Sequence, residues 1–244
     1  MDRDQSRPKD GSREGAHGHS RASSAAGRTE PGSRMQAESA NASHAVVLRT
    51  DLRGFVRSSE QSSPQSVLPM LDEYVDFVSA IARDNGGDVY SVDSESVTVG
   101  FGLREAAATG GAAAAVRAAQ QLLEGFEQVS HRWRKQADVR VALSIGIHEG
   151  EVLAASLGSD TDRAPTLVGD AVIVATRLAQ RARAGEAVLS GSVREALRDQ
   201  VPELQIKPLG GLTFAARTQR VAIYCIPRAE RLDLGELRHE GVRH

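Results

Sequence analysis

Residues 143–178 read LSIGIHEGEVLAASLGSDTDRAPTLVGDAVIVATRL, and this stretch decides the fold. Ala142 to Ile147 is apolar and rich in β-branched residues, which predicts a buried strand. Glu149-Gly150 predicts a turn, and Glu151 to Leu157 a returning strand, so the two form a hairpin. A polar loop then leads to Gly169-Asp170, with Asp170 placed as the N-cap of a helix beginning at about Ala171. Val172, Ala175 and Ala179 mark its apolar side, while Ile173 and Arg177, four residues apart, share another face.

Upstream, His44 to Thr50 (HAVVLRT) predicts a first buried strand that Asp51 ends, where the chain turns into Leu52-Arg-Gly-Phe. Ser58 to Gln65 is polar and predicts a loop. Val67, Leu71, Tyr74, Val75, Val78, Ile81 and Ala82 recur at helical spacing until Asn85-Gly86-Gly87 stops the helix, and Pro69 makes its first turn irregular. Asp88 to Val92 and Ser96 to Phe101 predict two strands joined at Asp93-Ser94-Glu95, a hairpin expected to bring its carboxylates beside Asp51. Gly110 to about Lys135 predicts a long helix with Val116, Leu122, Leu123, Phe126 and Val129 inward, and Asp138 to Ile147 the next strand. Downstream come a strand at Ala187 to Ser190, a short helix at Gly191 to Asp199, and closing strands at Leu204 to Lys207 and Arg220 to Ile226. This order, β-α-β-β-α-β with appended elements, predicts an α+β fold: a ferredoxin-like sheet with helices on one face and further strands added.

The motifs Gly-Ile-His-x-Gly-Glu (146–151), Gly-Ser (158–159), Thr-x-x-Gly-Asp-x-Val (166–172) and Ala-x-Arg-Leu (175–178) resemble those of the class III adenylyl and guanylyl cyclase catalytic domain. The resemblance runs from about His44 to Pro227. It implies a head-to-tail homodimer or heterodimer, a nucleoside triphosphate as ligand, and two Mg²⁺ or Mn²⁺ ions held by two carboxylates that activate the ribose 3′-hydroxyl. Asp51, in Asp-x-x-Gly-Phe, matches the first metal-binding aspartate, with the backbone of Leu52 beside it. Glu95 stands in the second aspartate's place and Ser94 in that of the preceding glycine; Asp93 falls two positions too early. Thr166 matches a base-contacting position, Ser91 replaces a purine-contacting lysine, and Arg177 matches the transition-state arginine. His148 belongs to a structural motif and reads as a hydrogen-bonding residue of the fold.

Two replacements bear on activity. Ile173 takes the place of an asparagine that orients the ribose, and Gly210, in Leu209-Gly210-Gly211, that of a triphosphate-holding lysine, for which Lys207 is a doubtful stand-in. Losing one charge-stabilising donor costs about 10² to 10³ in rate. Two such losses, allowing for non-additivity, cost on the order of 10⁴. The expected function is therefore a degenerate cyclase homology domain in intracellular signalling, regulatory or nucleotide-binding. The alternative is a slow or unusual cyclase that makes a 3′,5′-cyclic nucleotide and pyrophosphate.

Composition bounds the remaining classes. The chain has 244 residues, of which residues 43–227 form the expected domain, 1–42 an expected disordered extension with candidate starts at Met1 and Met35, and 228–244 a polar tail. His17 and His19 are expected to be solvated. A net charge of −2 and 4% aromatic residues argue against a nucleic-acid surface, and the aromatic-free first strand against an RNA-stacking sheet. No apolar run reaches the roughly 18 residues a membrane span needs, and the N-terminus lacks a signal-peptide core. The single cysteine, Cys225, lies in an apolar run as core filler, which fits a reducing cytoplasm.

Overall fold

The computed structural model describes residues 42–226 except 61–62, 104–110, 159–161, 199–205 and 214–219. The expectations for the two tails, for Gly110 and for Leu204 lie outside the described residues. The elements, in order, are β1 (Ala42–Arg53), α1 (Phe55–Ser59), α2 (Pro64–Asp84), β2 (Asp88–Asp93), β3 (Ser96–Phe101), α3 (Gly111–Ala137), β4 (Ala142–Gly158), β5 (Arg163–Val168), α4 (Asp170–Arg181), β6 (Ala187–Ser190), α5 (Gly191–Leu197), β7 (Lys207–Leu212) and β8 (Val221–Ile226).

Eight strands form one mixed sheet in the order β2-β3-β1-β4-β6-β8-β7, with β5 paired to the far half of β4. The first four reproduce the ferredoxin-like core expected from the sequence. Alternation along β1 divides its side chains between two cores. Val46, Leu48 and Leu52 join the cluster under α2, α3 and α5, whereas Ala45 and Val47 pack with Ala171 and Ala175 of α4. Helices therefore cover both faces, with α4 alone on the second, where Val174 and Leu178 also meet Val188 and Ile223. That second face carries the candidate site.

The long helices follow their apolar spacing. Ser63 caps α2 by accepting from the Ser66 backbone N–H at 3.3 Å, and Pro64 occupies the first turn, where its missing N–H costs nothing. Pro69 lies inside α2, which continues past it. Tyr74 and Trp133 both set their rings edge-on against Phe126, and the Trp133 indole donates to Glu73 at 2.7 Å. Burying a side chain of this size contributes about 2–3 kcal/mol. Trp133 is thus a packing residue.

Several local expectations are corrected. Glu149-Gly150 is not a turn: β4 runs straight through it, paired to β1 from Ala142 to Leu153. At Gly150 a Cβ would make only ordinary contact with Ala171, at 3.4 Å. The returning strand is β5, whose pairs run from Leu153↔Val168 to Gly158↔Arg163; the proline and polar residues in Arg163-Ala-Pro-Thr hid it. Asp51 does not end β1, which continues to Arg53 and turns at Gly54 (φ 81°). The polar stretch after it holds α1 and the start of α2. Asp138 has φ 52°, and β4 starts only at Ala142. Gly169 rather than Asp170 is the N-cap of α4, with no side-chain cap bond. The last hairpin uses Lys207–Leu212.

Candidate active site

The sheet's second face brings two carboxylates together at the end of β1. Thr50, pointing the other way, fixes the strand there: its Oγ1 shares a 2.6 Å hydrogen bond with the Tyr74 hydroxyl and accepts from the Val97 N–H at 3.0 Å. Burial pushes the Tyr74 hydroxyl far above its usual range. Two residues on, the Leu52 N–H donates to the Glu95 carbonyl at 2.7 Å, which ties the β2–β3 turn to β1. In an extended strand a residue's N–H and C=O point to the same side, so the Leu52 carbonyl also faces that turn.

Asp51 is only 19% exposed. Burial holds its carboxyl above the usual carboxylate range, although Arg53, the Ser144 hydroxyl and Arg49 each pull it down. Burial and then the charge of Asp51 likewise raise Glu95. The hairpin thus carries Glu95 into the electrostatic reach of Asp51, as its spacing suggested. Asp93 is not with them: Arg49 forms an ion pair with its carboxylate, and Ser96 donates to it at 3.2 Å.

Two like charges partly desolvated beside each other are the state that a divalent cation relieves. Two carboxylates and a carbonyl are also the hard oxygen donors that Mg²⁺ or Mn²⁺ takes, with water or phosphate completing the octahedron. The residues fit such an ion. No group of three or more His, Cys, Asp or Glu that could hold a metal ion occurs among the described residues.

Arg53 and Ser144 were not singled out by the sequence. Arg53 Nε lies 3.1 Å from Asp51 Oδ2 and 3.0 Å from Ser144 Oγ, while its terminal nitrogen reaches the carbonyls of Ala179, Gln180 and Ala182 at 2.8, 2.6 and 3.2 Å. Ser144, fully buried opposite Asp51, also reaches the Ala179 carbonyl at 3.2 Å. One guanidinium thus joins the carboxylate to the end of α4. A period-2 reading from Asp51 finds Arg49 and Arg53 on the same face, which was the available signal.

Ile173 and Arg177 share the outer face of α4 as expected; Ile173 is 59% exposed, and Arg177 bonds Gln180 at 3.2 Å instead of a carboxylate. Thr166 sits on β5 and bonds the Ala164 carbonyl at 3.3 Å. Ser91 lies on β2 opposite Thr98. Gly210 stands at a bulge in β7 with φ 99°, so a lysine there would be strained although the space is open. His148 is buried, with Nδ1 3.5 Å from Ser192 Oγ. Ile173 and Arg177 thus lie on α4, Asp51 on β1, and Glu95 at the turn between β2 and β3.

Residues 37–226 match the family model described as the adenylate and guanylate cyclase catalytic domain. Adenylate cyclase 1 of Rhizobium meliloti (strain 1021) is 31% identical over 183 residues, covering 73% of this chain and 27% of the relative, so the chain spans about a quarter of that protein. The crystal structure of the adenylyl cyclase CyaB from P. aeruginosa superposes with a TM-score of 0.70 at 25% identity, over 78% of this chain and 98% of that one. The guanylate cyclase domain of RhGC from Catenaria anguillulae, crystallised in complex with GTP, shares the fold at a TM-score of 0.65 and 22% identity, over 78% and 99% of the two chains. No described helix is long and apolar enough to cross a membrane. The chain therefore belongs to the class III adenylate and guanylate cyclase catalytic-domain family.

Proposed function

We propose that this domain, spanning residues 43–227, is a degenerate cyclase module. It binds a nucleoside triphosphate with a divalent cation at the seam of a head-to-tail dimer without turning it over, acting in signalling through binding and assembly. The observation that carries this reading is the outer face of α4. There Arg177 is presented to solvent, and beside it stands Ile173, 59% exposed. An apolar side chain left in water on the face that should grip a ribose contributes no donor to the transition state. Gly210 supplies no lysine either, and its φ of 99° would strain one.

In this reading Asp51, Glu95 and the Leu52 carbonyl of one protomer hold Mg²⁺ or Mn²⁺, which when bound neutralises phosphate charge and activates the ribose hydroxyl. Arg177 of the other protomer neutralises the phosphates, and Thr166 and Ser91 border the base. A second reading, a slow cyclase with full chemistry, is favoured by one observation, the placement of Glu95 beside Asp51. The test is incubation of the purified chain with Mn²⁺ and each of ATP, GTP, CTP and UTP. Thermal stabilisation by nucleotide without cyclic product supports the degenerate module. Metal-dependent cyclic product that disappears in Asp51→Ala supports the second reading and overturns the first.

A further inference from the structure

The lysine that the family carries at Ser91 is absent, yet the same row of the sheet contains a cation. Ser91 pairs with Thr98, and Thr98 pairs with Arg49 on the opposite side. Directly paired residues share a sheet face, so Ser91, Thr98 and Arg49 form one row across β2, β3 and β1, on the face that also carries Asp51. Arg49 extends along this row toward β2: it donates to Thr98 Oγ1 at 2.5 Å, to Ser96 Oγ at 2.6 Å, and to the Asp93 carboxylate. These contacts hold a long side chain in one place, with 16% of it exposed. They engage three of the five N–H groups a guanidinium offers. The neighbouring row supplies an apolar ledge, since Tyr90, Leu103 and Leu167 all close on Gly100.

We propose that Arg49 is the base-reading residue of this domain, replacing from β1 the cation missing at Ser91, and that it selects guanine nucleotides. The inference rests on the proposed function, in which the base lies at Ser91. A guanidinium only donates hydrogen bonds. Guanine presents two adjacent acceptors, O6 and N7, on one edge, whereas adenine sets an amino donor beside its N7. Arg49 therefore meets complementary groups on guanine and a donor facing a donor on adenine. Asp93 and Ser96 act as positioning residues that keep the guanidinium aligned.

The test is equilibrium binding of GTP and of ATP to the full chain with Mn²⁺, for wild type, Arg49→Ala, Arg49→Lys and Asp93→Asn. Wild type is expected to prefer GTP by about tenfold, the worth of one good guanidinium–guanine contact. Arg49→Ala should bring the GTP:ATP ratio to about one, chiefly by weakening GTP, and Asp93→Asn should reduce the ratio part of the way. If Arg49→Ala does not fold, Arg49→Lys carries the test, because a single ammonium in the same row should lower the ratio without removing the charge. A ratio unmoved by any Arg49 variant overturns the assignment, as does an equal loss of both nucleotides, which would place Arg49 on the phosphates. Absence of binding by either nucleotide instead overturns the functional reading underneath.

Discussion

Removing Arg53 should weaken the whole domain, because this one side chain holds β1, β4 and the end of α4 together. Arg53→Ala removes donors to the Ala179, Gln180 and Ala182 carbonyls and to Ser144, and the cation 3.1 Å from Asp51. A hydrogen bond involving a charged group contributes about 1.5–3 kcal/mol, and a cation at a helix C-terminus about 0.3–2 kcal/mol. The Arg53 side chain is 33% exposed, so water replaces part of what is lost. Allowing for that and for non-additivity, the expected loss is about 2–3 kcal/mol. In a domain of this size that lowers Tm by roughly 4–12 °C. Arg53→Lys should recover less than half, since one ammonium does not span the fork between Asp51 and the helix end. Urea denaturation followed by far-UV circular dichroism measures both variants. A loss below about 0.5 kcal/mol for Arg53→Ala, the range of ordinary surface changes, would refute the claim that this guanidinium joins the site to α4.

Asp51→Asn should be at least as stable as wild type near pH 7 without metal. A carboxyl raised by burial contributes stability fully below its ordinary range and loses it as pH rises through its folded value. The difference should shrink as pH falls through and below about 4, as urea midpoints in a chelator can show, and a less stable variant at pH 7 would contradict the electrostatics. Gly146→Ala should cost about 3 kcal/mol or abolish folding, since its Cβ would lie 2.1 Å from the Ala175 carbonyl oxygen and 2.2 Å from the Ala179 nitrogen. A soluble variant with unchanged Tm would mean that α4 does not pack this closely on β4. Cys225 is 5% exposed, with its thiol pushed up to about 11 by burial. It should resist alkylation at pH 8 until denaturant is added, and rapid labelling of the native protein would show β8 opening.

The core was legible because alternation and helical spacing each report one buried face, and β1, β3, α2 and α3 have unbroken patterns. The carboxylate pair was legible for a related reason: a hairpin of fixed length beside a strand end leaves little choice about where Glu95 falls. What escaped the sequence reading has a common cause. At Gly150 a glycine inside a continuous strand looks the same as one that makes a turn, and only pairing with β1 tells them apart. The proline and exposed residues of β5 carry no apolar period, because that strand is half solvated. Arg49 and Arg53 carry no distinguishing signal in a chain rich in arginine. Their roles depend on Asp93, Ser144 and the end of α4, partners 44 to 129 residues away.

Ile173→Asn tests the central claim most directly, because residue 173 is exposed on the outer face of α4 and the change leaves the core untouched. Cyclic nucleotide formation from GTP and from ATP with Mn²⁺ should sit near background in wild type and rise by about 10²-fold when the donor is restored. Brisk metal-dependent turnover by wild type that Ile173→Asn leaves unchanged or lowers would contradict the account.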